Sequence, residues 1–182
     1  YIRSSADNIT VKPYHALIRL IKKALSISEG DSIDDISYKM NNGIAKLSNN
    51  LEGDLLKRSE KINDRIGFLL GLNQYRSLAN KFSGQDLKNE INQSLRIFIE
   101  ILSCNANLSG VPLILIFEDL HWADQNSLES LSYIVNTLNL DQRRQGDLEH
   151  HCFFIFDYRE DFLLPKMIQN MKGFSTINLE PL

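Results

Sequence analysis

Apolar positions recur at two different spacings along this chain, and the change in spacing separates a helical part from a part that contains strands. Up to Ser103 they recur every three or four residues, which is typical of amphipathic helices. Residues 13–103 are therefore predicted to be mainly helical. The first predicted helix runs from Pro13 to Ile27, and the second begins at the capping pair Ser32 and Asp35. Two short helices are predicted between Leu51 and Leu72. The last runs from Gln85 to Ser103 and is capped by Ser83 or Asp86.

Two uninterrupted apolar runs follow, from Leu113 to Phe117 and from Cys152 to Phe156. Apolar residues at every position are typical of parallel strands that are buried on both faces. Between the runs, a helix is predicted to begin after Asp124, whose carboxylate can cap it, and a surface loop is predicted from Asp141 to His151. A helical segment and a final strand, Phe174 to Leu179, complete residues 112–182.

Helices that alternate with strands predict an α/β fold with a parallel sheet, in which ligands bind at the carboxyl ends of the strands. Two polar clusters fall at such ends, Glu118 with Asp119 and Tyr158 with Arg159. Ionised carboxylates at a strand end lose solvation unless a cation or hydrogen-bond donors replace the water. We therefore predict that both clusters face one crevice and form a site.

Composition narrows the function classes. With 182 residues and 43% hydrophobic content, the chain suffices for one globular domain. The net charge of -3 indicates no broad surface for nucleic acid or anionic membranes. Cys104 and Cys152 lack CxxC spacing, and no apolar stretch is long enough to cross a bilayer. The sequence predicts a soluble, cytoplasmic protein with no direct nucleic-acid or membrane partner.

A sequence string at the first strand end resembles a known family. PLILIFEDLHWAD at 112–124, followed after a helix by FFIFDYRED, resembles the Walker B and sensor regions of STAND-type P-loop ATPases, which are AAA+-like. PYHALIRLIKKAL is similar to the proline-aromatic helix that follows the P-loop region in that family. The resemblance implies a partial P-loop NTPase sheet of Walker B, sensor and final strands, with a large helical insertion from Ile33 to Ser103.

Site roles follow from the resemblance. It implies ATP and Mg2+ as ligands, since the clustered phosphate charge of ATP needs a cation. Glu118 resembles the metal-associated acid, and Asp119 resembles the acid that orients or deprotonates the attacking water. Arg159 resembles the sensor residue that reads the terminal phosphate or an interface. Glu in place of the more usual Asp at position 118 leaves the division of labour between the acids open.

No segment of the sequence fits GxxxxGK[ST], the loop whose amides cradle phosphates. Because residues 1–8 resemble the strand after the P-loop helix, we expect the loop upstream of this sequence and expect no ATP hydrolysis by these 182 residues alone. The alternative is a degenerate module that never had the loop. In the family, the P-loop strand lies between the sensor strand and the last strand. Without it, Phe174 to Leu179 would lack a neighbour, and one edge of the sensor strand would be unpaired.

The predicted function is ATP binding and hydrolysis in a regulatory module of a multidomain signalling protein, with an adenylate or guanylate cyclase as the expected parent. The expected partners are ATP and the other domains of the parent chain, and oligomerisation is left open. Alternatives are a non-catalytic scaffold module that keeps the fold, or an ATPase module of a kinase or a transcriptional regulator.

Residue-level alternatives also remain. Glu118 and Asp119 can simply terminate the strand and pair with the next turn. His121 and Trp122 are interpreted as a loop that packs the indole under the sheet edge, and Asp124 as a helix cap. A metal-hydrolase cluster of Glu118, His121 and Asp124 is disfavoured. Such sites normally need three convergent ligands, often with further His or Cys, and His15, His150 and His151 are not convincingly placed to join them.

Overall fold

The computed structural model describes residues 1–6, 12–141, 152–171 and 173–180. Residues 142–151 of the predicted surface loop lie outside these ranges. In chain order, the helices and strands are β1 (Ile2–Ser5), α1 (His15–Ala24), α2 (Ile33–Ser48), α3 (Gly53–Ser59), α4 (Asn63–Leu69), α5 (Leu78–Lys81), α6 (Gly84–Leu108), β2 (Leu113–Glu118), α7 (Gln125–Asp141), β3 (Cys152–Phe156) and α8 (Lys166–Gln169).

The three strands form one parallel sheet in the order β1-β2-β3. Ile2 lies opposite Leu115, and Phe117 lies opposite Phe156, so β2 is paired along both of its edges. Parallel strands require crossover connections, and here the helices from α1 to α6 connect β1 to β2. The predicted α/β class is confirmed at this level, as a small parallel sheet with many helices.

The two faces of the sheet have different surroundings. On one face, Leu115 and Phe117 of β2 are buried in a single hydrophobic cluster with residues of α1, α6 and α7. On the other face, Phe153 and Ile155 of β3 are 57% and 50% exposed. The prediction that both strands are buried on both faces is therefore wrong for β3, because the helices that pack on the sheet lie against its opposite face.

The helices confirm most of the local signals in the sequence. Ser32 and Asp35 form a reciprocal capping box at the start of α2, and the Ser83 side chain accepts a hydrogen bond from the Asp86 amide at the start of α6. The region from Leu51 to Leu72 contains two short helices, as predicted. Within the described residues, none of the helices combines the length and the apolar composition that a membrane span requires.

Ion pairs attach the short helices to α6. Glu100, only 7% exposed, accepts two hydrogen bonds of 3.0 Å from Arg58 of α3 and lies 3.3 Å from Arg96. Arg65 of α4 donates to Glu90 at 2.7 Å. A buried carboxylate needs this compensation, since desolvation of an unpaired charge is costly. The helical region is thereby fixed to the helix that leads into β2.

The predicted final strand, Phe174 to Leu179, is wrong. This segment has no regular secondary structure, and Ile177 and Leu179 are 84% and 90% exposed. A strand forms only where its backbone groups find a neighbouring strand. In the described part of the chain, the sheet consists of β1, β2 and β3, and none of these strands pairs with this segment. The helix before it is reduced to the short α8.

Asp124 joins two helices. Its Oδ1 accepts hydrogen bonds from the Tyr14 and Ser127 amides, both at 3.0 Å, and its Oδ2 accepts from the His15 amide at 3.0 Å and from the Ser127 hydroxyl. The predicted cap of α7 is confirmed. The same carboxylate also satisfies the first amides of α1, where Tyr14 adopts a left-handed φ of 62°.

Replacing Asp124 by Ala is expected to destabilise the protein by about 2–4 kcal/mol, because a single cap contributes about 1 kcal/mol and this carboxylate serves two helix starts. Ser32→Ala is the matched control, since Ser32 caps α2 alone, and about 1 kcal/mol is expected there. Urea unfolding followed by circular dichroism measures both free energies. Equal losses in the two variants would show that the link between α1 and α7 adds no stability.

Candidate functional site

The chain leaves β2 through a tight turn. Glu118 is the last residue of the strand, and Asp119 adopts a left-handed conformation with φ 53° and ψ 37°. Aspartate tolerates this region better than most residues, because its short side chain can bond locally. A 3-10 turn, Leu120–Trp122, follows directly. The turn reverses the chain at the carboxyl end of the sheet, where a ligand site was predicted.

Backbone hydrogen bonds fasten this turn to the end of β3. The Leu120 amide donates to the Asp157 carbonyl at 2.9 Å, and the Asp157 amide donates to the Phe117 carbonyl at 2.9 Å. The loops that follow β2 and β3 therefore lie side by side at one edge of the sheet, with their backbones fastened to each other.

Glu118 is not free. Its carboxylate forms a two-point ion pair with the Arg3 guanidinium, through Nε and Nη2. The parallel register explains the contact, since Ser5 lies opposite Glu118 and Arg3 stands two residues earlier on the same face of β1. The hydrogen bond from Arg3 lowers the pKa of Glu118, and the same bond raises the pKa of Arg3. Both groups thus stay charged over the physiological range.

Asp119 is in the opposite situation. Its side chain is exposed and forms no hydrogen bond or ion pair with any residue of the described ranges. Two adjacent carboxylates at the end of one strand therefore differ in their availability. Asp119 can accept a proton or bind a ligand without first breaking an interaction, whereas Glu118 must exchange Arg3 for any new partner.

Arg159 lies against the loop that follows the acids. Its guanidinium carbon is 5.5 Å from the centroid of the Trp122 ring, within the range of a cation–π interaction. Trp122 is 42% exposed, and its ring centroid lies 5.0 Å from that of His121. The interpretation that the indole packs under the sheet edge is wrong, because the 3-10 turn directs it outward, where Arg159 covers it.

His121 is the other unusual side chain of this loop. Both of its ring nitrogens are buried, and neither has a hydrogen-bond partner in the described part of the chain. It does not form the metal-hydrolase cluster that was considered with Glu118 and Asp124. Asp124 is occupied by helix amides, Glu118 by Arg3, and no group of three His, Cys, Asp or Glu within the described ranges is arranged to hold a metal.

The donor set still fits Mg2+. This ion keeps several waters and binds through one or two carboxylates together with substrate phosphates, so it needs no cluster of three protein ligands. Glu118 and Asp119 provide two carboxylates at the carboxyl end of the central strand. Their hard oxygen donors suit a hard cation. The side chains present are thus compatible with a magnesium-bound phosphate ligand.

Arg3 is the site residue that the sequence prediction missed. A partial signal for it exists, since the resemblance of residues 1–8 to a strand of the family places Arg3 on that strand. The alignment of Arg3 with the end of β2, however, follows from the strand register, which the pattern of apolar residues does not reveal.

In comparisons with known proteins, no family model, no curated protein and no solved structure matched this chain. The assignments of Glu118, Asp119 and Arg159 to a nucleotide site therefore remain proposals, which rest on the residues and their geometry.

Replacing Arg159 by Ala is expected to expose the Trp122 indole, because the guanidinium covers one side of the ring. Trp122 is the single tryptophan of the sequence, so its fluorescence reports on this loop alone. The acrylamide quenching constant is expected to rise about 1.5-fold or more, because the cation–π contact no longer shields one face of the ring. Arg76→Ala, at an exposed arginine elsewhere, is the control. Equal quenching in both variants would contradict the contact.

Proposed function

We propose that this chain belongs to an ATP- and Mg2+-binding regulatory module of the STAND type, within a multidomain signalling protein such as a nucleotidyl cyclase. One observation carries the proposal. The central strand of a parallel sheet ends in Glu118 and Asp119, at the edge where such sheets bind ligands. The string EDLHWAD, which resembles a Walker B region, occupies this position.

The states of the two acids support a division of labour. Asp119 is exposed and uncommitted, which suits the residue that orients or deprotonates a water molecule. Glu118 lies at the strand end with both carboxylate oxygens engaged by Arg3, and a hydrated cation that displaced Arg3 would bind through the same oxygens. We therefore assign water activation to Asp119 and cation association to Glu118.

Arg159 is assigned to the terminal phosphate. A guanidinium that stacks on an aromatic ring keeps its N–H groups, which lie in its plane, available for hydrogen bonds. The guanidinium carbon of Arg159 lies over the Trp122 ring, and Arg159 is itself exposed. A guanidinium binds phosphate oxygens through two parallel hydrogen bonds, so a phosphate at this edge could engage it without breaking the contact with Trp122.

The sheet leaves a place for the phosphate-binding strand of this family. Among the described residues, β3 pairs with β2 on one edge only. By the resemblance, β3 corresponds to the sensor strand, beside which the P-loop strand of STAND ATPases lies. We propose that the loop GxxxxGK[ST], which residues 1–182 do not contain, is supplied by a longer chain at this edge of β3.

The second candidate is a non-catalytic interaction module with the same fold. The exposure of Phe153 and Ile155 on the open face of the sheet favours it, since large apolar side chains at the surface often mark protein contacts. This candidate requires neither a cation nor a nucleotide. ATP binding by the full-length protein distinguishes the two functions.

Asp119→Asn in the full-length protein is expected to lower ATP turnover by about 100-fold or more, because general-base catalysis contributes about that much, while Mg2+·ATP affinity changes by less than about threefold. Isothermal titration calorimetry measures binding, and phosphate release measures turnover. Asp161→Asn, at an exposed acid after β3, is the control and is expected to retain turnover.

Three outcomes bear on the proposal. Unaltered turnover in Asp119→Asn would remove the catalytic role from this residue. Loss of binding and of turnover together would make it a ligand-binding residue instead. A full-length protein that binds no Mg2+·ATP would contradict the ATPase proposal and favour the interaction module.

A further inference from the structure

The pair between Arg3 and Glu118 has a consequence for cation binding. The two nitrogens of Arg3 engage both oxygens of the Glu118 carboxylate. A two-point contact of this kind occupies the carboxylate face that points toward the guanidinium. A divalent cation would seek the same oxygens, and a guanidinium and a divalent cation repel each other at that distance. Arg3 and the cation therefore compete for Glu118.

The pair is placed where an exchange of partners is easy. The side chain of Arg3 is 58% exposed, whereas that of Glu118 is 23% exposed. A released guanidinium can move into water at little solvation cost, while the less exposed carboxylate remains at the strand end. Asp119, the neighbouring acid, is not held by any described residue. Arg3 thus restrains Glu118 and leaves Asp119 unrestrained.

The backbone of β1 does not depend on this side chain. The Ser4 hydroxyl, which is fully buried, donates to the Ala16 carbonyl of α1 at 2.7 Å. Arg19 of α1 donates to the Ser5 carbonyl at 3.1 Å, and the Ala6 amide donates to the Glu118 carbonyl at 2.9 Å. These contacts hold β1 against α1 and β2 without the Arg3 side chain.

We propose that Arg3 is a positioning residue that holds the Glu118 carboxylate when no divalent cation is bound and is displaced from it when a cation binds. The proposal rests on the proposed function, in which Glu118 associates with the cation. Arg3 then sets the cation concentration at which the site fills, and it prevents the carboxylate from binding a cation at low concentration.

Mn2+ binding to the full-length protein, followed by electron paramagnetic resonance of the free ion, tests this without turnover. Arg3→Gln is expected to lower the half-saturating Mn2+ concentration by about fivefold, as expected for release from a partly exposed ion pair. Lys23→Gln is the matched control, because Lys23 acts on Glu118 through its charge alone, and a shift below about twofold is expected there. Arg3→Lys keeps the charge but loses the two-point contact, so its half-saturating Mn2+ concentration is expected to lie between those of the wild type and Arg3→Gln.

Thermal unfolding shows whether the variants fold, and Arg3→Met, which also removes the guanidinium, replaces Arg3→Gln in the comparison if the latter does not fold. A shift in Arg3→Gln no larger than that in Lys23→Gln would overturn the proposal, since Arg3 would then act only as a charge. Weaker Mn2+ binding in Arg3→Gln would also overturn it. If wild type and variants bind no Mn2+ but the protein binds ATP, the cation role of Glu118 and this inference fail together, while the nucleotide proposal stands.

Discussion

The pairing of β2 along both edges is the constraint on which the candidate site depends. Parallel neighbours on each side bring three carboxyl ends to one edge, so the residues after β2 lie beside those after β3. Hydrogen bonds between the Phe117–Leu120 segment and Asp157 then fix the two loops to each other. The positions of Asp119 and Arg159 follow from this backbone arrangement and do not require direct contacts between their side chains.

The same constraint separates the two acids in their electrostatics. Glu118 still belongs to the strand, so its side chain points to the open face of the sheet and meets Arg3 from the neighbouring strand. Asp119 has already left the strand through a left-handed turn and points into solvent. One peptide unit thus changes the environment from a paired carboxylate to a free one. Adjacent acids with different environments can perform different functions.

Sequence reasoning succeeded where a signal and its consequence lie within a few residues. Ser32 and Asp35 are three positions apart, and the capping box between them was predictable because helix starts are local. It failed for contacts between distant segments. Arg3 and Glu118 are separated by 115 positions, and Asp124 and the Tyr14 amide by 110. Such contacts depend on strand register and helix docking, which no local spacing encodes.

The two errors about strands share one physical cause. An apolar run indicates that its residues suit a buried strand, but both burial and strand formation require neighbours. Residues 174–179 have a strand-like composition, yet no described strand pairs with them. Phe153 and Ile155 are equally apolar, yet the helices pack on the opposite face. On β3, the edge without a described neighbour and the exposed face adjoin each other. A strand added at that edge, with a helix packed on that face, would supply both missing neighbours, and the proposed P-loop strand and its helix would occupy this place.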